Sequence, residues 1–228
     1  MRIPFEQDRH KRHLCELLSA LVKAFPEKLA FKGGTCAYLF YNLPRFSFDL
    51  DFDIIKPLTD SDYDNIKQIM SDHGVMKDFY VKAFVVLGLF DYGKGYPNIK
   101  IELNKRVWKN NTYKTEWFFG APLFIADEPT LATNKLAALT GRRMAVARDL
   151  YDCWYFLKNN YPLNEALINE RTGKDLAGYL KTAVNFIRKT YNTRNILQGL
   201  GQALDEKRKI WVKAHLIEDT VKEIEKRM

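Results

Sequence analysis

The chain has 228 residues, of which 46% are apolar and 28% charged, a balance that suits a packed globular protein and excludes a disordered one. No run of about 18 apolar residues occurs, so no membrane-spanning helix is expected, and the charged opening MRIPFEQDRHKRH lacks the apolar core of a secretory signal. The net charge of +8 is uneven: residues 1–128 hold 18 Lys/Arg against 17 Asp/Glu, and residues 129–228 hold 18 against 11, which favours either a phosphate-rich partner or a solvated, lysine-rich helical surface.

In chain order, Leu14, Leu17, Leu18, Leu21, Val22 and Phe25 recur at helical spacing, which predicts an amphipathic helix over 8–25 closed near Pro26. Residues 29–32 read as a short strand running into Gly33-Gly34. The following TCAYLFYN is apolar all round, so helix and Gly-Gly hairpin both remain open there. SFDLDFDII alternates without a break, which predicts a strand over 47–55 with Ser47, Asp49, Asp51 and Asp53 on one face. DSDYDNIKQIMSDHG predicts a helix from Thr59 or Asp60 to Gly74. VKAFVVLGLF and NIKIELNKR read as strands around the Gly-rich turn YGKGYPN, and the second sets Lys100, Glu102 and Asn104 on one face. From Pro129 the pattern turns helical, through TLATNKLAALTG and RDLYDCWYFLK to a last helix over about 205–227. That helix carries a stripe of Ile210, Ala214, Ile217, Val221 and Ile224, read as the face that packs on the core. The cysteines Cys15, Cys36 and Cys153 are scattered and odd in number, which fits reduced thiols in a cytoplasmic protein.

The aspartate face is the feature that asks for chemistry. Alternate residues of a strand repeat at about 6.5–7 Å. Two carboxylates at that distance repel by about 2–2.5 kcal/mol at an effective dielectric near 20. A divalent cation between Asp49 and Asp51 would turn that repulsion into ligation, and hard Mg²⁺ takes few carboxylates together with waters and substrate phosphates. Glu102 on a neighbouring strand supplies a third acid, the set a two-metal site needs for in-line attack at phosphorus. Solvent-screened strand faces are the bland alternative for all three. Gly33, Gly34 and Thr35, at the start of a possible helix, offer backbone N–H groups and a hydroxyl to phosphate. No P-loop is present, since Thr172-Gly173-Lys174-Asp175 lacks both the first glycine and the final hydroxyl. His10 and His13 have no third ligand nearby and read as a solvated helix face rather than a zinc site.

Phe31-Lys32-Gly33-Gly34-Thr35, then Arg45-Phe46-Ser47-x-Asp49-Leu50-Asp51-Phe52-Asp53, and later Lys135-Leu136 with Arg148-Asp149-Leu150-Tyr151-Asp152, resemble the motifs of the AbiEii/AbiGii-type nucleotidyltransferase toxins of type IV toxin–antitoxin and abortive-infection systems. These belong to the DNA polymerase β-like superfamily, and the resemblance covers about residues 10–160. It implies a helix after Gly34, an α/β (α+β) catalytic lobe with a mixed sheet over 1–128, and a helical lobe over 129–228. It implies Mg²⁺ or Mn²⁺ on Asp49, Asp51 and Glu102, and an NTP held by Lys32, Gly33, Gly34, Thr35, Arg45, Ser47 and Lys135. Asp149 or Asp152 would be a further functional acid; their spacing of three puts both on one helical face and does not choose between them. Asp53 is read as supporting. Phe48 stands where the family often has an acidic residue, on the face away from the metals. The expected activity is transfer of a nucleoside monophosphate to the 3′ end of RNA, tRNA in the family, by a cytoplasmic toxin whose antitoxin is encoded nearby. Transfer to a protein or small molecule, and nucleotide binding without turnover, are the alternatives.

Overall fold

The computed structural model describes residues 6–142 and 144–228. The chain divides into two compact units. The first holds Met1–Asn42, Ser47–Val107 and Tyr113–Ala126, and the second holds Leu43–Phe46, Trp108–Thr112 and Asp127–Met228.

In the first unit, α1 (Gln7–Ala24) buries Leu14, Leu17, Leu18, Leu21 and Val22, the stripe its periodicity predicts. β1 (Leu29–Lys32) leads through Gly33 into α2 (Gly33–Phe40), so the segment after the two glycines is a helix. β2 (Leu50–Ile54), α3 (Asp60–His73), β3 (Val75–Val81), β4 (Val85–Asp91), β5 (Ile99–Asn104), β6 (Tyr113–Phe118) and β7 (Ala121–Ala126) follow. α3 begins where a capping box dictates: Thr59 accepts from the Asp62 N–H, and Asp62 reaches back to the Thr59 N–H. The sheet is mixed, ordered β3-β4-β5-β2-β1-β7-β6, with β2/β5 and β1/β7 parallel and the other neighbours antiparallel. Phe31, Leu50, Phe52, Phe90, Ile101 and Leu103 are buried along it. The strand expected to begin at Val81 instead starts at Val85. Val81 ends β3, and the Lys82 N–H donates to the Val85 carbonyl to close the turn between them.

The second unit is helical: α4 (Glu128–Gly141), α5 (Ala147–Lys158), α6 (Glu165–Thr172), α7 (Leu176–Thr190) and α8 (Glu206–Glu225), with a 3-10 turn at Gly201–Ala203. Asp127, Asn164, Asp175 and Asp205 each cap a helix by accepting a backbone N–H from the first turn. α5 is buried on most of its circumference, and Trp154 meets Trp211 of α8 with ring centroids 4.3 Å apart. The inward stripe of α8 is Val212, Leu216, Thr220, Val221 and Ile224. Of the expected stripe, Val221 and Ile224 are buried and Ile217 is half-buried, whereas Ile210 is 71% exposed and Ala214 faces solvent, so the expectation holds in the C-terminal half of the helix and fails in the first half. Among the described residues no helix is long and apolar enough to cross a membrane.

Candidate active site

Strand register brings the acidic residues of the first unit together. Across parallel β2 and β5, Asp51 sits beside Glu102 and Asp53 beside Asn104. Across β1 and β2, Lys32 sits beside Asp51. Neighbouring strands lie about 4.8 Å apart, so the Asp51 and Glu102 carboxylates are held in close company by backbone hydrogen bonding alone. Asp49 immediately precedes β2 and joins the same face, because the Lys100 ammonium touches both ends of the cluster. It lies 3.6 Å from Asp49 Oδ2 and 3.2 Å from Glu102 Oε2. Burial pulls that ammonium toward its neutral form, but the charges of Asp49, Asp51 and Glu102 outweigh burial and hold its pKa above the ordinary lysine value. The Asn104 amide donates to Glu102 Oε1 at 3.3 Å.

α2 opens directly under this cluster. Gly33 has φ +80°, and a Cβ there would lie 2.3 Å from Asp51 Oδ2, so both the turn and the close approach require glycine. The Asp51 carboxylate therefore rests against the backbone that opens a helix, where N–H groups favour negative charge. Thr35, expected to offer its hydroxyl to phosphate, is fully buried. That hydroxyl donates to the Asp49 carbonyl and lies 2.9 Å from the hydroxyl of Ser47, itself buried, so Thr35 ties α2 to the segment entering β2. Asp53 is buried and accepts from Lys32 Nζ at 2.5 Å and from the Tyr113 hydroxyl at 2.8 Å. His10 is also buried, contrary to the solvated face its charged helix suggests. Its Nε2–H donates to the Phe48 carbonyl at 3.1 Å and its Nδ1 accepts from the Tyr92 hydroxyl at 2.6 Å, which fixes the segment leading to Asp49.

The second unit gathers Arg45, Lys135, Arg142, Asp149 and Asp152. Arg45 grips Asp152 with two bonds, Nε to Oδ1 at 2.5 Å and Nη2 to Oδ2 at 2.6 Å. Lys135 Nζ lies 2.8 Å from Asp152 Oδ2 and 3.6 Å from Asp149 Oδ1, and Arg142 Nε donates to Asp149 Oδ2 at 2.5 Å. Asp149 and Asp152 are both buried, on the one helical face their spacing predicts. Burial alone would push the Asp152 carboxyl up; Arg45 and Lys135 outweigh it and hold the pKa below the usual carboxylate range. Both acids expected as functional are thus ion-pair partners inside the helical unit, and Arg45, expected at the nucleotide, pairs with one of them. Of the basic cluster Arg142, Arg143 and Arg148 that the sequence sets near Lys135 as an expected contact for RNA, Arg143 lies outside the described residues.

A family model described as nucleotidyl transferase AbiEii toxin, type IV TA system, matches residues 16–212. The chain belongs to the AbiEii nucleotidyltransferase toxin family. No curated protein matches it. Among solved structures, JHP933 from Helicobacter pylori is 22% identical with a TM-score of 0.59, over 96% of this chain and 95% of that one. A second Helicobacter pylori protein, assigned as a nucleotidyltransferase, is 21% identical with a TM-score of 0.58, over 97% and 98%. An antigenic nucleotidyltransferase-like protein from Paracoccidioides brasiliensis is 16% identical with a TM-score of 0.50, over 88% and 95%. At these identities the likeness speaks for the fold.

The AbiEii assignment makes the protein a nucleotidyltransferase, and the family implies an NTP substrate and an antitoxin partner. Asp49, Asp51 and Glu102 supply carboxylate oxygens, the donor type that a hard divalent cation takes. Among the described residues no three His, Cys, Asp or Glu side chains are drawn together at ligand spacing. What Asp49, Asp51 and Glu102 surround instead is a cation of the chain's own, the Lys100 ammonium. Oxygen donors that share one positive charge are a donor set suited to a hard metal ion. Alternation along β5 puts Lys100 on the acid face in the sequence, but its capture by two strands needs the register. The Arg45–Asp152 pair joins residues 107 positions apart, and nothing in a single sequence announces it.

Proposed function

We propose that this AbiEii-family toxin transfers a nucleoside monophosphate from an NTP to the 3′ end of an RNA, with a divalent cation held by Asp49, Asp51 and Glu102. The observation that carries the reading is the register of Asp51 beside Glu102, with Asp49 on the same face and the helix opening at Gly33 beneath. A bound divalent cation would polarise the phosphoryl oxygens and lower the pKa of the attacking hydroxyl. The chain's own groups position the rest. The backbone N–H groups at Gly33 and Gly34 take phosphate oxygens, and Thr35 and His10 hold the Asp49 segment rigid from either side. Asp53 keeps Lys32 on the sheet face next to Asp51. RNA is favoured as acceptor by the excess of 18 Lys/Arg over 11 Asp/Glu in residues 129–228.

The test is incorporation of radiolabel from each of the four NTPs into total RNA or total protein, with Mg²⁺, with Mn²⁺ and with chelator. Label at RNA 3′ ends, lost with chelator and with Asp51→Asn, is the expected result. Label in protein would replace the acceptor, and label that survives the chelator would remove the metal.

A further inference from the structure

We propose that Lys100 is a built-in counter-cation for the acidic cluster: in the metal-free protein its ammonium occupies the charge position between Asp49 and Glu102, and a divalent ion must displace it to bind. The inference rests on the metal reading above and adds a residue to it. Three features of the first unit carry it. Lys100 and Glu102 are alternate residues of β5, so both side chains leave the sheet on the face that Asp51 shares through its register with Glu102. The ammonium reaches across to the other strand, 3.6 Å from Asp49 and 3.2 Å from Glu102, so it bridges carboxylates that come from β5 and from the entry to β2. It is also poised to leave. The Lys100 side chain is 37% exposed, a four-carbon stem with water at hand, whereas Lys32 on the other side of Asp51 is tied to buried Asp53.

The consequence is a competition. Without Lys100 the Asp49 and Glu102 carboxylates lose the cation that bridges them, so the metal-free protein gains repulsion that a bound metal relieves. Lys100 therefore lowers the affinity for metal alone and steadies the empty site. A nucleotide that arrives with its own bound cation brings the charge that releases the lysine. The device discourages loading of the acids by free metal in the absence of substrate.

The experiment measures Mn²⁺ binding to the full chain by electron paramagnetic resonance, without nucleotide, for wild type, Lys100→Met, Lys100→Gln and Lys100→Arg. Thermal unfolding is followed with and without Mn²⁺ for the same set. Lys100→Met and Lys100→Gln should bind Mn²⁺ about tenfold or more tightly, melt lower without metal, and gain more on adding it. Lys100→Arg, which keeps the charge, should stay close to wild type. Unchanged or weaker Mn²⁺ binding in both neutral variants overturns the proposal, as does an arginine variant that behaves like the neutral ones. Gln and Met differ in shape and polarity, so a folding failure of one leaves the other to decide. If neither wild type nor any variant binds Mn²⁺, the metal reading itself fails. Tight binding to the neutral variants alone would leave that reading standing and support the proposal.

Discussion

At Gly33 the space left for a side chain is smaller than a methyl group. A Cβ there would meet Asp51 Oδ2 at 2.3 Å, in a backbone conformation, φ +80°, that L-residues rarely adopt. Gly33→Ala should therefore cost about 1–3 kcal/mol of stability for the backbone strain, plus the displacement of Asp51. Denaturant unfolding measures the first and nucleotide transfer the second. Adding Asp51→Ala to Gly33→Ala removes the contact with Oδ2 but leaves the Cβ of residue 51 at 2.9 Å and the backbone strain, so it should recover a small part of the stability and none of the activity. Asp152 poses the opposite case, a charge with too many partners to lose. Arg45→Ala would leave buried Asp152 with Lys135 but without its two-bond partner, and should cost about 3 kcal/mol, the low end of the range for breaking a buried pair. Arg45→Lys should recover little, because a point charge cannot make two parallel bonds to one carboxylate. The folded pKa of Asp152 is depressed, so its stabilisation is present above the unfolded value near 4 and is lost as pH falls through the lower folded value. Asp152→Asn should accordingly flatten the acid limb of the stability profile, and an unchanged limb would assign acid unfolding to other groups.

Among the elements, α1 does more than cover the sheet, because His10 on its buried face donates to the Phe48 carbonyl just before Asp49. Burial depresses the His10 pKa, so the unfolded chain takes up a proton that the folded chain refuses. Stability should then be full above about pH 6.5 and decline as pH falls from there through the lower folded value. Thermal melts of wild type and His10→Gln between pH 4.5 and 8, as roughly the window around that value, should differ in slope on the acid side. Parallel curves would remove His10 as the cause. The sequence disclosed α1 through its leucine spacing and α3 through the Thr59 cap, since those signals are local and each residue's burial follows from its own period. It disclosed the acid face of β2 for the same reason. It did not disclose β6, whose YKTEWF is polar and only half covered, nor β3, an edge strand with Val75 and Val81 exposed. The α8 stripe was legible at Val221 and Ile224 and went astray at Ile210 and Ala214, because a twenty-residue amphipathic helix offers more than one apolar line, and α5 and α7 decide which is buried. His10 was hidden by its charged neighbours, since its partners Tyr92 and Phe48 lie far along the chain.

For the molecule as a whole the open quantity is the basic excess, and the structure changes which residues can test it. Arg142 is committed to buried Asp149, so reversing its charge would unsettle the helical unit before it reported on any ligand. The outer face of α7 is a cleaner probe. Lys181 and Arg188 are seven residues apart on α7, which puts them on one line about 10.5 Å long, and Lys189 stands next to them. Lys174, seven residues before Lys181, extends the line just beyond the helix cap. Lys181 and Lys189 are exposed and make no ion pair among the described residues, whereas Arg188 bridges to Glu225. If this unit holds RNA through phosphates, log K should fall by roughly 0.7–0.9 per contact for each decade of salt. Lys181→Glu with Lys189→Glu should then weaken binding to total tRNA and flatten the salt slope by roughly 1.4–1.8 if both residues touch phosphate. The melting temperature should not move, because both side chains are exposed on α7 and neither belongs to the core of the helical unit. A titration of anisotropy against salt for wild type and the double variant reads both quantities at once. Identical slopes would mean that the charge of α7 is solvated surface, and the acceptor would have to be held by other basic residues or be something other than RNA.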